Sequence, residues 1–264
     1  IICGIMGTLV VVNRIVFLSG GIAHAAYGGI GLAFYFKWPV MLGTMGFTLL
    51  ASLLMAGITL KAKYRADTII GVIWAVGMAI GIILVDLTPG YNVDLMSYLF
   101  GSILTVPRSD LIWMAGIGIA ITVMIIFFYD QLLAISYDEE FARIRGVPVN
   151  LLYYILIAML GLTIVMVIRV VGLIMVIALL TIPPFIVEKY AKSLLSMMIG
   201  SSALGIIFTL TGLWLSYTFD LTSGAAIILV AGTVFLIVLA VNGIRDFFMH
   251  KKTMPPLSAT GKDN

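Results

Sequence analysis

Apolar runs of about 18–25 residues follow one another along nearly the whole chain, and that is the length a helix needs to cross the hydrocarbon core of a bilayer. Nothing constrains the fold more. Lipid offers no partner for a backbone N–H or C=O, so only helices or a closed barrel can satisfy their own hydrogen bonds there. The runs do not alternate at a period of two, which argues against a barrel. The expected fold is all-α, a polytopic transmembrane helical bundle of about eight or nine membrane segments, some broken or re-entrant. Candidate segments cover residues 1–12, 22–36, 40–60, 68–85, 111–128, 149–168, 170–187, 193–217 and 222–244. The first is short for a crossing and the chain does not begin with Met, so part of that span is expected to be missing. Residues 1–248 read as one membrane domain. Residues 249–264, with Pro255-Pro256 and a polar end, read as a disordered tail.

Two segments depart from simple spanning. Leu95 to Val106 is too short to cross and follows the turn Thr88-Pro89-Gly90, so a re-entrant or interfacial helix is expected there. Segment 170–187 contains Thr181-Ile182-Pro183-Pro184. Two prolines remove two helical hydrogen bonds, so the helix either kinks or breaks there, or simply ends before Glu188. A break within the membrane is tolerated only where backbone is buried or lines a cavity.

Orientation follows from the basic residues. With the segment 136–148 placed in the cytoplasm, twelve of the fifteen Lys and Arg residues fall inside, and only Lys37, Arg108 and Arg169 fall outside. The net charge of +3 is therefore a matter of topology and no sign of nucleic-acid binding.

That cytoplasmic segment is unusual. Charged residues make up 10% of the chain but half of Asp138 to Val147. Ser136 and Glu139 have the spacing of a capping box, with Ser136 as N-cap. Asp138, Glu139 and Glu140 suit the positive end of a helix dipole, and Arg143 and Arg145 the negative end. Gly146 can take the left-handed C-terminal position, and Pro148 blocks continuation. Phe141 and Ile144 then share one apolar face. A chain that only had to re-enter the membrane needs no such device, so the segment reads as a contact for a partner.

His24 is the sharpest candidate for chemistry. On a helix starting near Gly21 it shares a face with Tyr27, Gly28, Gly31 and Tyr35, and that face could line a pathway. An ionisable residue within a span faces protein or water, and neutral imidazole suits a borderline metal such as zinc. The alternative is a packing histidine bonded to a neighbouring carbonyl, with glycines allowing close approach. Asp86, Asp94, Asp110 and Asp220 lie toward the outer face and could gather divalent cations, or be ordinary loop and cap residues; Asp86 is the first of them to test. The single cysteine, Cys3, excludes an intramolecular disulfide and a multi-cysteine cluster. There is no His-Glu-x-x-His, no Gly-x-Ser-x-Gly and no phosphate-binding loop. The chain reads as no enzyme, and it handles no nucleotide itself.

Five segments in order resemble the permease subunits of zinc/manganese-type ABC importers. They are Gly4 to Leu18, Ala23-His24-Ala25, Tyr98-Leu-Phe-Gly101, Glu139 to Ala142 with Gly146, and Val170 to Pro184. The resemblance implies a type II importer permease in a prokaryotic inner membrane, multi-pass, with a cytoplasmic C-terminus. It implies a dimer of permeases, two copies of this chain, around one central pathway for a divalent metal ion, zinc or manganese. It further implies two cytoplasmic ATPases carrying ATP and Mg, an extracytoplasmic metal-binding protein above, and no tightly held cofactor in this chain. By position, the 136–148 segment matches the short helix that fits a cleft in the ATPase. Gly172, Pro183 and Pro184 would then be hinge positions. Many members carry an aspartate four residues before the histidine, and here that residue is Gly20. Rival readings are a permease for a metal chelate and a proton- or sodium-coupled transporter, although the latter would need acids within its spans.

Overall fold

A computed structural model of the chain describes residues 1–61, 65–89, 101, 103 and 106–253, with side chains as far as residue 243. Ten α-helices follow in order among the described residues: α1 Ile2–Val12, α2 Val16–Tyr35, α3 Val40–Lys61, α4 Ala66–Asp86, α5 Arg108–Phe127, α6 Tyr129–Tyr137, α7 Glu139–Ile144, α8 Val149–Glu188, α9 Leu194–Phe219 and α10 Ser223–Thr253. Seven of these are long and apolar enough to cross a membrane. The bundle is built around α2 and α8. α2 packs on α4, α3 and α8; α1 wedges between α8 and α9; α10 pairs with α9 and α8.

α2 begins at Val16, six residues before the sequence-based boundary. Gly20 and Gly21 look like a helix start because each glycine costs a helix about 1 kcal/mol relative to alanine. Tertiary packing outweighs that cost. Gly21 lets Ile70 of α4 approach, and a Cβ on Gly31 would overlap the backbone of Gly81. Small residues on both helices bring two backbones together, which in lipid is a main source of helix association.

α8 contains both expected segments, 149–168 and 170–187. Its 40 residues would extend about 60 Å if straight, twice the hydrocarbon core. It is not straight: Gly172, at φ 78° and ψ 165°, breaks the helix. Of the two readings of Pro183 and Pro184, a break or a helix end beside Glu188, the second is found. Helix continues through both to Glu188, and Gly172 is the one residue of α8 with non-helical backbone angles. Proline removes a hydrogen bond but keeps a helical φ, and here neighbours occupy the gap. Gly7 of α1 sits against the carbonyl of Leu180, the group Pro184 leaves without its usual donor, and against the Pro184 ring itself.

The C-terminal helix reaches Thr253, so residues 249–253, expected to be disordered, continue α10; residues 254–264 lie outside the described set. So do Lys63, Gly90, Asp94 and most of the expected re-entrant segment 95–106.

Candidate functional site

His24 lies in the third turn of α2. Its Nδ1 is 2.8 Å from the carbonyl of Gly20. A carbonyl only accepts, so Nδ1 must carry the proton and donate it, leaving the lone pair on Nε2. A second bond that fixes the tautomer in this way is how metal-binding imidazoles are commonly oriented. The ring lies on Trp74 of α4, with centroids 4.1 Å apart and planes 35° apart. One turn back, a Cβ on Gly20 would meet only Ile177 Cδ1, at 3.8 Å. The side-chain position four residues before the histidine is therefore open space.

The other expected pathway residues are placed differently. Tyr27 is buried. Gly28 faces Phe47 and the Gly77 carbonyl, and Gly31 faces Gly81. Both glycines are points of close helix contact within this chain, between α2 and the helices α3 and α4. Tyr35 is exposed at the end of α2, edge-on to Phe36, which stacks on Trp38. Such a cluster suits the membrane–water boundary. Asp86 is the exposed last residue of α4. It lies twelve residues beyond Trp74, about 18 Å along the helix axis, so the structure does not bring it to His24. Asp220 is exposed and caps α9 in a left-handed conformation, φ 53°. No group of three or more His, Cys, Asp or Glu side chains that could hold a metal occurs among the described residues.

Asp110 is not a solvated mouth residue. It is buried in the first turn of α5, and its Oδ2 accepts from Arg169 Nη2 at 2.6 Å and from Nε at 3.2 Å. Sequence reasoning missed this pair. The one signal was Arg169 itself, a lone cation between two apolar runs.

The charged segment forms α7, with a cap at each end. Asp138 is the N-cap, and its Oδ1 accepts from the Phe141 N–H at 3.0 Å. Ser136, expected in that role, lies inside α6 instead. Its hydroxyl donates to the Leu132 carbonyl at 2.7 Å and accepts from Asn13 Nδ2 at 2.9 Å. The reason is that α6 runs to Tyr137, so only Asp138 has the extended backbone a cap needs. Asn13 and Ser136 meet across a cleft of about 480 Å³ that Glu139 and Tyr153 also line. At the other end Gly146 takes φ 80°. The Val147 N–H donates to the Ala142 carbonyl and the Gly146 N–H to that of Arg143, each at 3.1 Å, the paired bonds of a Schellman stop.

Between these caps, Arg143 Nη2 donates to Glu139 Oε1 at 2.9 Å, and Arg145 lies 4.9 Å from the centre of the Phe141 ring. Glu140 is exposed, as are Phe141 (52%) and Ile144 (84%). An ordered helix thus offers two apolar side chains, rimmed by charge of both signs, to whatever lies beyond it.

A bundle of membrane-spanning helices with one capped polar helix beside it describes a multi-pass membrane protein. The chain belongs to the ABC 3 transport family, whose model matches residues 1–242. It is 52% identical over 238 residues to an uncharacterized membrane protein of Synechocystis sp., covering 90% of this chain and 85% of the relative. It is 33% identical over 237 residues to the manganese import system permease protein ScaB of Streptococcus gordonii, covering 90% and 85%. Among solved structures it resembles PsaBC from Streptococcus pneumoniae in complex with Fab, at 34% identity and a TM-score of 0.81 over 90% of this chain and 86% of that one. A metal-chelate type ABC transporter in an inward-facing conformation, at 18% identity and a TM-score of 0.70 over 90% and 83%, shares the fold. Membership places the chain in a bacterial cell membrane, crossing it several times.

Proposed function

We propose that this chain is the membrane-spanning subunit of an ATP-driven importer for a divalent metal ion, manganese or zinc, which enters the cytoplasm by alternating access. The named manganese import relative supports the metal as cargo and favours manganese. Residues 1–248 act as one permease domain, with α7 and the C-terminus on the cytoplasmic side. Two copies enclose the pathway, two ATPase subunits bind ATP and Mg beneath them, and an extracytoplasmic metal-binding protein delivers the ion from above.

The observation that carries this reading is α7. It is capped at both ends, rimmed by charge, and leaves Phe141 and Ile144 uncovered within the chain. A preformed helix loses little entropy on docking, which suits repeated transmission of a movement. Asp138, Glu139, Glu140, Arg143 and Arg145 set the charge pattern the ATPase cleft must match, while Gly146 ends the helix. Within α2, His24 offers Nε2 to the passing ion. One histidine is too few ligands, and a second copy brings another His24 to the same pathway. Asp86 acts, if at all, at the mouth, apart from His24. Gly172 supplies the bend in α8.

The test is the Glu139→Lys/Glu140→Lys double variant, reconstituted with its ATPase. Charge reversal on the docking helix should reduce ATPase co-purification and remove ATP-driven metal uptake. Unchanged association and uptake would exclude α7 as the joint.

A further inference from the structure

α5 is held to the bundle along one face and exposed on the others. Its buried residues are Asp110, Ile117, Ile121 and Ile125, one helical face at intervals of seven, four and four. Met114, Gly118, Thr122 and Met124 flank that face half-buried, and the other faces, including Ile112, Trp113, Ile119 and Ile126, are exposed. At the C-terminal end it runs through Phe128 directly into α6 and from there to α7. At the N-terminal end Asp110 is bound to Arg169 by two hydrogen bonds, with side-chain exposures of only 11% and 18%. Arg169 stands three residues before the break in α8 at Gly172.

A second contact meets the same break. Gly101 adopts φ 72°, and a Cβ on it would overlap the backbone of Val171 and Gly172. That explains why the Tyr98-Leu-Phe-Gly101 segment ends in glycine. Gly101 lies against the bend, and the first turn of α5 grips the helix just before it.

We propose that Asp110 and Arg169 are positioning residues, forming a fixed joint through which displacement of α7 travels along α5 to the Gly172 bend. The inference rests on α7 being the ATPase contact. The pair is a joint and not a latch because parting it would leave two charges in a seam largely closed to water, a costly state. Rotation about glycine is cheap by comparison. Movement arriving along α5 is therefore taken up at Gly172 while the ion pair stays shut, and the second half of α8, which packs beside Gly20 through Ile177, swings relative to His24.

The experiment uses the whole importer in proteoliposomes, with Cys3→Ser and spin labels at the exposed positions Ile112 and Ile174. The distance between them, across the joint and the bend, should change when ATP binds. With Asp110→Asn that change should vanish and metal moved per ATP should fall about tenfold or more, while ATPase association persists. Asp110→Glu should restore much of both. A wild-type distance indifferent to ATP would overturn the joint, whatever the variants do. So would an Asp110→Asn protein that transports at the normal ratio. If the α7 reading is at fault instead, ATPase association will survive the Glu139→Lys/Glu140→Lys change, a separate observation.

Discussion

α2 and α5 have the same length, 20 residues, and both are apolar, yet 72% of the best spanning stretch of α2 is buried against 22% for α5. The difference lies in what each helix offers its neighbours. α2 carries Gly21, Gly28, Gly29 and Gly31, which admit α3 and α4 to backbone distance. α5 carries Gly116, whose Cβ would meet nothing within 4 Å, and Gly118, whose Cβ would only graze Met166. Glycines in one span are seams, and in the other they are merely small. α2 is built to hold His24 still against Trp74, and α5 is a rod held along one face only.

Matched substitutions sharpen that contrast. Gly81→Leu drives a side chain into the α2 backbone and should cost more than about 3 kcal/mol, the upper range for overpacking, seen as loss of folded protein on size exclusion. Gly116→Leu on α5 should leave the yield and melting temperature of the purified permease within error. Equal damage from the two would end the distinction between seam and rod. A smaller effect is expected at the site itself. His24→Ala should lower metal uptake roughly tenfold, the scale of one lost ligand contact, with assembly intact; normal uptake would remove His24 from the pathway. Smallest is the gain from Gly20→Asp. The open space beside Ile177 admits the carboxylate, and an oxygen ligand suits manganese, so manganese should bind a few-fold more tightly by equilibrium dialysis. No change would mean that position 20 does not face the ion.

The spans were legible in the sequence because length and apolarity are local properties. So was α7, since capping residues and Gly146 act within a few positions of one another. The details that failed depend on distant partners. Gly20-Gly21 looks like a helix start until Ile70, fifty residues away, is seen against it. Pro183 and Pro184 leave a break and a helix end at Glu188 equally open until Gly7 is found at the freed Leu180 carbonyl. Gly172 was named as a hinge position by the resemblance alone, for a lone glycine in an apolar run is tolerated in a helix. Ser136 had the right spacing for a cap but the wrong backbone, because α6 already enclosed it. Asp110 and Arg169 are 59 positions apart, and no local pattern joins them. For His24 the sequence supplied the residue and the structure its tautomer, and Gly28 and Gly31 of the same helix also serve as helix contacts.

The central claim is that this permease carries a divalent metal only when α7 is joined to a working ATPase. The direct measurement is manganese accumulation in proteoliposomes holding the permease, its ATPase and its metal-binding protein, with and without ATP, for the native chain and for Phe141→Asp/Ile144→Asp. The account requires ATP-dependent accumulation against a gradient in the native chain and none in the variant, whose permease remains folded. Accumulation that ignores ATP, or that survives loss of both apolar side chains, would contradict it.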